Sequence, residues 1–81
     1  MQVTIRLFAI LRDRAGASEL ALALDDGATV VTAESALLER HPVLRDFLSR
    51  SAFAVNREYV PRSTELHDGD ELAIIPPVSG G

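Results

Sequence analysis

The sequence has no cysteine, so it has no disulfide framework, no thiolate metal site and no cysteine nucleophile. It has no lysine either. All eight basic residues are arginine, and no side-chain amine is present to form a Schiff base or to accept an isopeptide bond. Positive charge is scarce: 8 basic residues stand against 12 acidic ones, for a net charge of −4. That balance argues against nucleic acid as a partner, which calls for a basic face, and is compatible with docking onto a basic protein surface. No run approaches the roughly 20 apolar residues of a membrane span. The chain starts on strand-like sequence rather than a charged segment and a signal-peptide core. The expectation is a cytoplasmic protein that does not contact membrane. Neither GxGxxG nor GxxxxGK(S/T) occurs, so no phosphate-cradling loop is present, and no GxSxG marks a nucleophile.

What remains suits one small domain. Its 81 residues are 47% hydrophobic. A chain of this size buries only about 60% of its unfolded surface, so its core is thin. Residues 3–10 begin as an alternating strand, with Val3, Ile5 and Leu7 on one face and Thr4, Arg6 and Phe8 on the other. The pattern leaves open whether Phe8 completes the core or stands in an exposed apolar patch that marks an interface. Residues 12–18 are polar with a glycine and read as a loop. Leu20, Leu22 and Leu24 alternate with alanines as a second strand, paired with the first. Thr29 caps a helix whose apolar stripe is Val30, Ala33, Leu37 and His41, and Pro42 ends it. Leu44, Phe47 and Leu48 suit a second, shorter helix. Strands follow at 52–56, at 58–60 with Pro61 marking an edge, and at 71–75, the most apolar and so the sheet centre. Residues 63–66 read as a turn or one turn of 3₁₀ helix. The order is α+β, a mixed sheet of about five strands on one main helix, with the first and last strands parallel. The domain spans 1–75 and an extended tail 76–81.

Most polar clusters have structural explanations. His41 sits at a helix end, where its charge suits the dipole. His67 beside Asp68 lies in a turn with no serine nucleophile signature. Asp25-Asp26 and Asp68-Gly69-Asp70-Glu71 lack the spacing of a calcium loop and are turns. Arg12-Asp13-Arg14 reads as solvated. No metal or cofactor is expected on this chain.

The tail, Pro76-Pro77-Val78-Ser79-Gly80-Gly81, is different. The prolines favour an extended path, and the glycines leave a carboxylate with no side chain near it. Six residues reach at most roughly 20 Å, enough to enter another protein's active site. A carboxylate is anionic at neutral pH and resists nucleophiles. ATP can convert it to an acyl-adenylate, which a sulfur nucleophile can open to a thioester or thiocarboxylate. Gly80 and Gly81 suit a narrow channel because they carry no Cβ. That chemistry needs a partner with a nucleotide site.

The chain resembles the small, sulfur-carrier subunits of molybdopterin synthase, which are ubiquitin-like β-grasp proteins. The resemblance rests on residues 3–13 (VTIRLFAILRD), 54–56 (AVN), 68–73 (DGDELA) and 76–81 (PPVSGG), in that order and spacing; residues 25–50 match in pattern only. It implies a β-grasp fold. It implies that a ubiquitin-activating-like adenylyltransferase adenylates Gly81 with ATP and magnesium, and that a sulfur donor protein then supplies the sulfur of a thiocarboxylate. The loaded tail would enter the large synthase subunit and give sulfur to cyclic pyranopterin monophosphate, building the molybdopterin dithiolene for molybdenum cofactor. The assembly implied is a heterotetramer, and the small subunit donates sulfur without being catalytic alone. Phe8, Tyr59 and Ile75 correspond to the apolar docking patch, with Ile75 where the family often has an aromatic. Arg12 matches an arginine near the same interface, and Pro76, Pro77, Val78 and Ser79 lead the tail into the partner. The alternatives are a carrier for thiamine thiazole or another thiolated product, a protein-modifying tag joined through Gly81, and an interaction module with an idle tail.

Overall fold

The alternation of Val3, Ile5 and Leu7 builds β1 (Gln2–Leu7), with these three side chains buried on one face. Strand β2 (Glu19–Ala23) pairs antiparallel with it, Val3 opposite Leu22. The computed structural model describes residues 1–77. Val78, Ser79, Gly80 and Gly81, and with them the expected site of tail chemistry, lie outside the described residues.

Between β1 and β2 the chain departs from the sequence expectation. Residues 8–10 do not continue the strand, and residues 12–18 are not simply a loop. Helix α1 (Ala9–Ala15) occupies this stretch. Ala9 takes φ 50°, which turns the chain out of the sheet, and Leu11 is then carried fully into the core. Arg12, Asp13 and Arg14 are its exposed face, which explains their polarity. Gly16 ends the helix at φ 77°, its N–H donating to the Arg12 carbonyl at 2.9 Å. A glycine in that left-handed conformation is a common helix terminator, and it was the overlooked signal.

Helix α2 (Val30–Arg40) forms where expected and buries Val30, Ala33 and Leu37. Thr29 caps it in a capping box with Thr32, the Thr29 N–H donating to Thr32 Oγ1 at 3.1 Å. The first helical N–H groups have no partner inside the helix. Here the Val30 N–H donates to the Thr64 carbonyl at 3.0 Å and the Val31 N–H to the Arg62 carbonyl at 3.1 Å. Residues 61–66 therefore turn and run beside the start of α2, with Thr29 and Glu65 bridged, and do not form the 3₁₀ turn considered for 63–66. Leu66 is buried by that run. His41 caps the other end of α2, outside the helix. Pro42–Leu44 make one 3₁₀ turn, and α3 (Arg45–Leu48) follows, burying Leu44 and Leu48.

The remaining strands are β3 (Ala52–Val55), β4 (Glu58–Val60) and β5 (Glu71–Ile75). The sheet order is β2-β1-β5-β3-β4, with β5 central, parallel to β1 and antiparallel to β3. Leu72 and Ile74 of β5 join the buried side chains of β1 and the helices in one core. β4 is an edge, as Pro61 implied. This is the ubiquitin-like β-grasp arrangement that the resemblance implied. Among the described residues no helix is long and apolar enough to cross a membrane.

Candidate functional site

The period of a strand sends alternate residues to opposite faces of the sheet. One face carries the core. The other is set by the intervening residues, and here they form a row across four strands. Arg6 is opposite Ala73, Ala73 opposite Ala54, and Ala54 opposite Tyr59. Two methyl groups thus lie between two long side chains. The consequence is a shallow depression of about 610 Å³, lined by Arg6, Phe8, Ala54, Arg57, Tyr59, Glu71, Ala73 and Ile75. Its floor is apolar and its ends carry charge.

Three of the residues singled out from the sequence, Phe8, Tyr59 and Ile75, come together here from different parts of the chain. Phe8 is 40% exposed and Tyr59 72% exposed. Phe8 is therefore part of the open apolar surface and not of the buried core. It occupies the N-cap position of α1 without making a side-chain cap, so its position is not explained by helix capping. Arg6 lies over it, with Cζ 5.9 Å from the ring centroid. Arg12 is not in the lining; it is exposed on α1, with Nε 3.7 Å from Asp13 Oδ1. Ile75 is both the last residue of β5 and part of the depression. Pro76 and Pro77 consequently leave from its rim.

Sequence reasoning missed the two alanines, Arg57 and Glu71. The alanines were readable as outward positions of β3 and β5 once those strands' inward residues were known. Glu71 faces Arg6, its Oε2 3.6 Å from Arg6 Nη1. Both side chains are over a third exposed, so this pair contributes at most about 1 kcal/mol. Arg57 is placed by the turn. Val55 and Glu58 pair, leaving Asn56 and Arg57 as a two-residue connection with φ 49° and 74°. A connection of that length with two positive φ values matches the right-handed twist of the strands. Asn56 is well chosen for it. Its Nδ2 donates to Asp70 Oδ1 at 2.9 Å, its Oδ1 accepts from the Glu71 N–H at 3.0 Å, and its own N–H donates to the Glu71 carbonyl at 2.8 Å. The turn is thereby tied to the start of β5.

The turn at 67–70 has a structural explanation. The Gln2 N–H donates to Asp68 Oδ1 at 2.7 Å and the His67 N–H to Asp70 Oδ2 at 2.8 Å. These bonds hold the start of β1 beside β5. Among the described residues no group of His, Asp and Glu is arranged to hold a metal ion. This face is an apolar trough with Arg6, Arg57 and Glu71 on its rim, at the root of the tail.

Comparison with known proteins gives three kinds of match. The ThiS family profile matches residues 5–81. A molybdopterin synthase sulfur carrier subunit from Chlamydomonas reinhardtii is 43% identical over the whole of both chains. Among solved structures, SAMP1 from Haloferax volcanii superposes with a TM-score of 0.90 at 35% identity, covering all of both chains. A chain in the complex of subunits 1 and 2 of the molybdopterin-converting factor from Helicobacter pylori superposes with a TM-score of 0.71 at 27% identity, again covering both chains fully.

Proposed function

This chain belongs to the ThiS family, among the molybdopterin synthase sulfur carrier subunits, and on that premise we propose that it delivers sulfur on the carboxyl group of Gly81 to the large subunit of the synthase. The steps follow from the chemistry of a carboxylate. The Gly81 carboxylate attacks the α-phosphorus of ATP on an activating enzyme, with magnesium there, and pyrophosphate leaves. A sulfur nucleophile from a donor protein attacks the acyl-adenylate, and AMP leaves. Where that nucleophile is a donor persulfide, the product is an acyl disulfide; a second thiol attacks the donor sulfur, forms a disulfide with it and releases the tail as a thiocarboxylate. In the large subunit that sulfur attacks an oxygen-bearing carbon of cyclic pyranopterin monophosphate, a carbon–sulfur bond replacing a carbon–oxygen bond whose oxygen leaves on phosphate or as water. Hydrolysis of the acyl link then returns the Gly81 carboxylate. A dithiolene holds two sulfurs, so two loaded carriers are consumed for each molybdopterin.

The chain's own residues supply position. Phe8, Tyr59 and Ile75 give the apolar contact that seats the body. Pro76 and Pro77 lead out from the body, Val78 and Ser79 join them to the terminus, and Gly80 and Gly81 have no Cβ to obstruct the narrow part of the partner's site. No residue of the chain needs to act as acid or base. The observation that carries the reading is the gathering of Phe8, Tyr59 and Ile75 around one uncovered depression from whose rim the tail departs. The homologous subunit from Helicobacter pylori, seen in complex with subunit 2, supports a docked large subunit as its occupant.

The test is reconstitution. The purified chain, an activating enzyme, ATP, magnesium and a sulfur donor are combined with the large subunit and the pyranopterin precursor. Molybdopterin is expected with the full chain and none with Gly81 deleted. Product from the deleted chain contradicts the proposal. A second reading, a protein modifier joined through Gly81, is favoured by the 35% identity to SAMP1, a relative named as a small archaeal modifier protein. Lysines of other proteins found carrying this chain would support it.

A further inference from the structure

The rim of the depression holds a residue that the turn does not ask for. Arg57 sits at φ 74°, in the left-handed region where a side chain is strained and glycine is not. Its neighbour Asn56 is accounted for by three hydrogen bonds to Asp70 and Glu71. Arg57 has no comparable account. It is exposed, and among the described residues it makes no side-chain hydrogen bond, ion pair or stacking contact, while Arg6 across the depression is already beside Glu71. A strained residue with no partner among the described residues, lining the depression proposed for docking, points to a role outside the fold.

Its placement defines that role. Arg57 follows Asn56, which is bonded to Glu71 at the start of β5; the tail leaves from Ile75 at the other end. Four residues of strand separate these ends, roughly 13 Å. The trough over Ala54 and Ala73 runs between them. A guanidinium recognises carboxylate through paired N–H donors, and such a bond gains strength as docking excludes water. The surrounding apolar lining is what a docked partner would dry.

We infer that Arg57 is a docking residue that receives a carboxylate side chain of the large subunit at the end of the trough opposite the tail. This rests on the proposed docking of the large subunit on the open sheet face. Two contacts on either side of an apolar floor, the threaded tail and the Arg57 carboxylate, fix the direction in which the body lies on its partner. The remaining charge on the chain is acidic overall, so this contact is a local exception to its net charge of −4. Affinity at this point therefore depends on a defined pair and not on general attraction.

The experiment measures affinity of full-length variants for the large subunit, beside their thermal midpoints. Arg57→Gly removes the side chain and relieves the turn. Its midpoint is expected not to fall, while its binding weakens about tenfold or more. Arg57→Glu is expected to weaken binding further, and Arg57→Lys to keep part of it. Acidic residues of the large subunit are then changed to arginine one at a time; one of them should restore binding to Arg57→Glu. Phe8→Asp is the control for the docking face itself. If the glycine and glutamate variants bind like the original chain while Phe8→Asp fails, the Arg57 inference is wrong and the docking face stands. If Phe8→Asp also binds normally, the docking face is wrong. Failure of every acid-to-arginine change to rescue Arg57→Glu also overturns the inference.

Discussion

Ala54 and Ala73 lie opposite each other on β3 and β5, on the uncovered face of the sheet. Two methyl groups at that pair are what leave room between Arg6 and Tyr59. Both stand outside the core cluster, although Ala54 is only 5% exposed and Ala73 is half-buried. The smallness of this pair is what opens the depression proposed for docking.

Filling the trough tests that reading. Ala73→Trp places a ring where the partner would sit. The variant is expected to fold, with a thermal midpoint within about 5 °C of the original, since the change points away from the core. Its affinity for the large subunit should fall by at least about tenfold, as expected when a well-packed interface centre is obstructed. Titration calorimetry and a thermal melt give both numbers. Unchanged affinity would remove the trough from the interface.

Phe8 is 40% exposed beside the same trough. Phe8→Asp is expected to cost about 2 kcal/mol or more of binding, the size of an aromatic anchor at an interface centre. The domain should stay folded by circular dichroism. Unfolding would return Phe8 to the core.

Much of this was legible in the sequence, and the misses have physical causes. The alternation of Val3, Ile5 and Leu7 and the stripe of Val30, Ala33 and Leu37 gave β1 and α2, because burial on one face imposes a period. The run at 71–75 identified the central strand by its apolar composition and not by a period, since a strand flanked on both sides is the most enclosed. Helix α1 was missed because it buries one residue fully, Leu11, and a single buried side chain has no period. The turn expected at 63–66 is present as a turn and not as 3₁₀ helix; that it accepts the N–H groups of α2 was not legible, because the bond joins segments far apart in sequence. At the depression, family resemblance supplied Phe8, Tyr59 and Ile75. Ala54 and Ala73 carry no chemistry of their own, and they matter only once the register sets them side by side. Arg57 was out of reach because the strand expected at 52–56 left one residue before the next; β3 ends at Val55, and only then do Asn56 and Arg57 form a two-residue turn.

Arg62 is expected to be a stability residue with no part in docking. Its Nε donates to Glu34 Oε1 at 3.1 Å, its Nη2 donates to the Leu48 carbonyl at 2.8 Å, and its guanidinium lies 4.7 Å from the Phe53 ring centroid. It joins the segment after β4 to α2 and α3. Arg62→Ala should destabilise the domain by about 1–3 kcal/mol, discounted from the buried-pair range because the side chain is partly exposed. Urea titration measures it. A double-mutant cycle with Glu34→Ala should leave a coupling of about 0.5–1 kcal/mol. Affinity for the large subunit, measured where the variant is folded, should not change.

Leu72 is fully buried in β5, the strand that also ends at the tail. Leu72→Ala is expected to cost about 2–5 kcal/mol, the loss of buried methyl groups plus the cavity left behind. For a domain with a thin core that is a large share of its stability. The midpoint in urea should fall sharply. A small shift would mean that the core collapses around the change.

The central claim is that Gly81 carries the sulfur that ends in molybdopterin. The most direct measurement is a single-turnover reaction of the thiocarboxylated chain with the large subunit and the pyranopterin precursor, followed by intact mass spectrometry of the chain and quantitation of the product. Two thiocarboxylates should revert to carboxylate for each molybdopterin formed. Product forming while the thiocarboxylate stays intact, or thiocarboxylate lost without product, would contradict it.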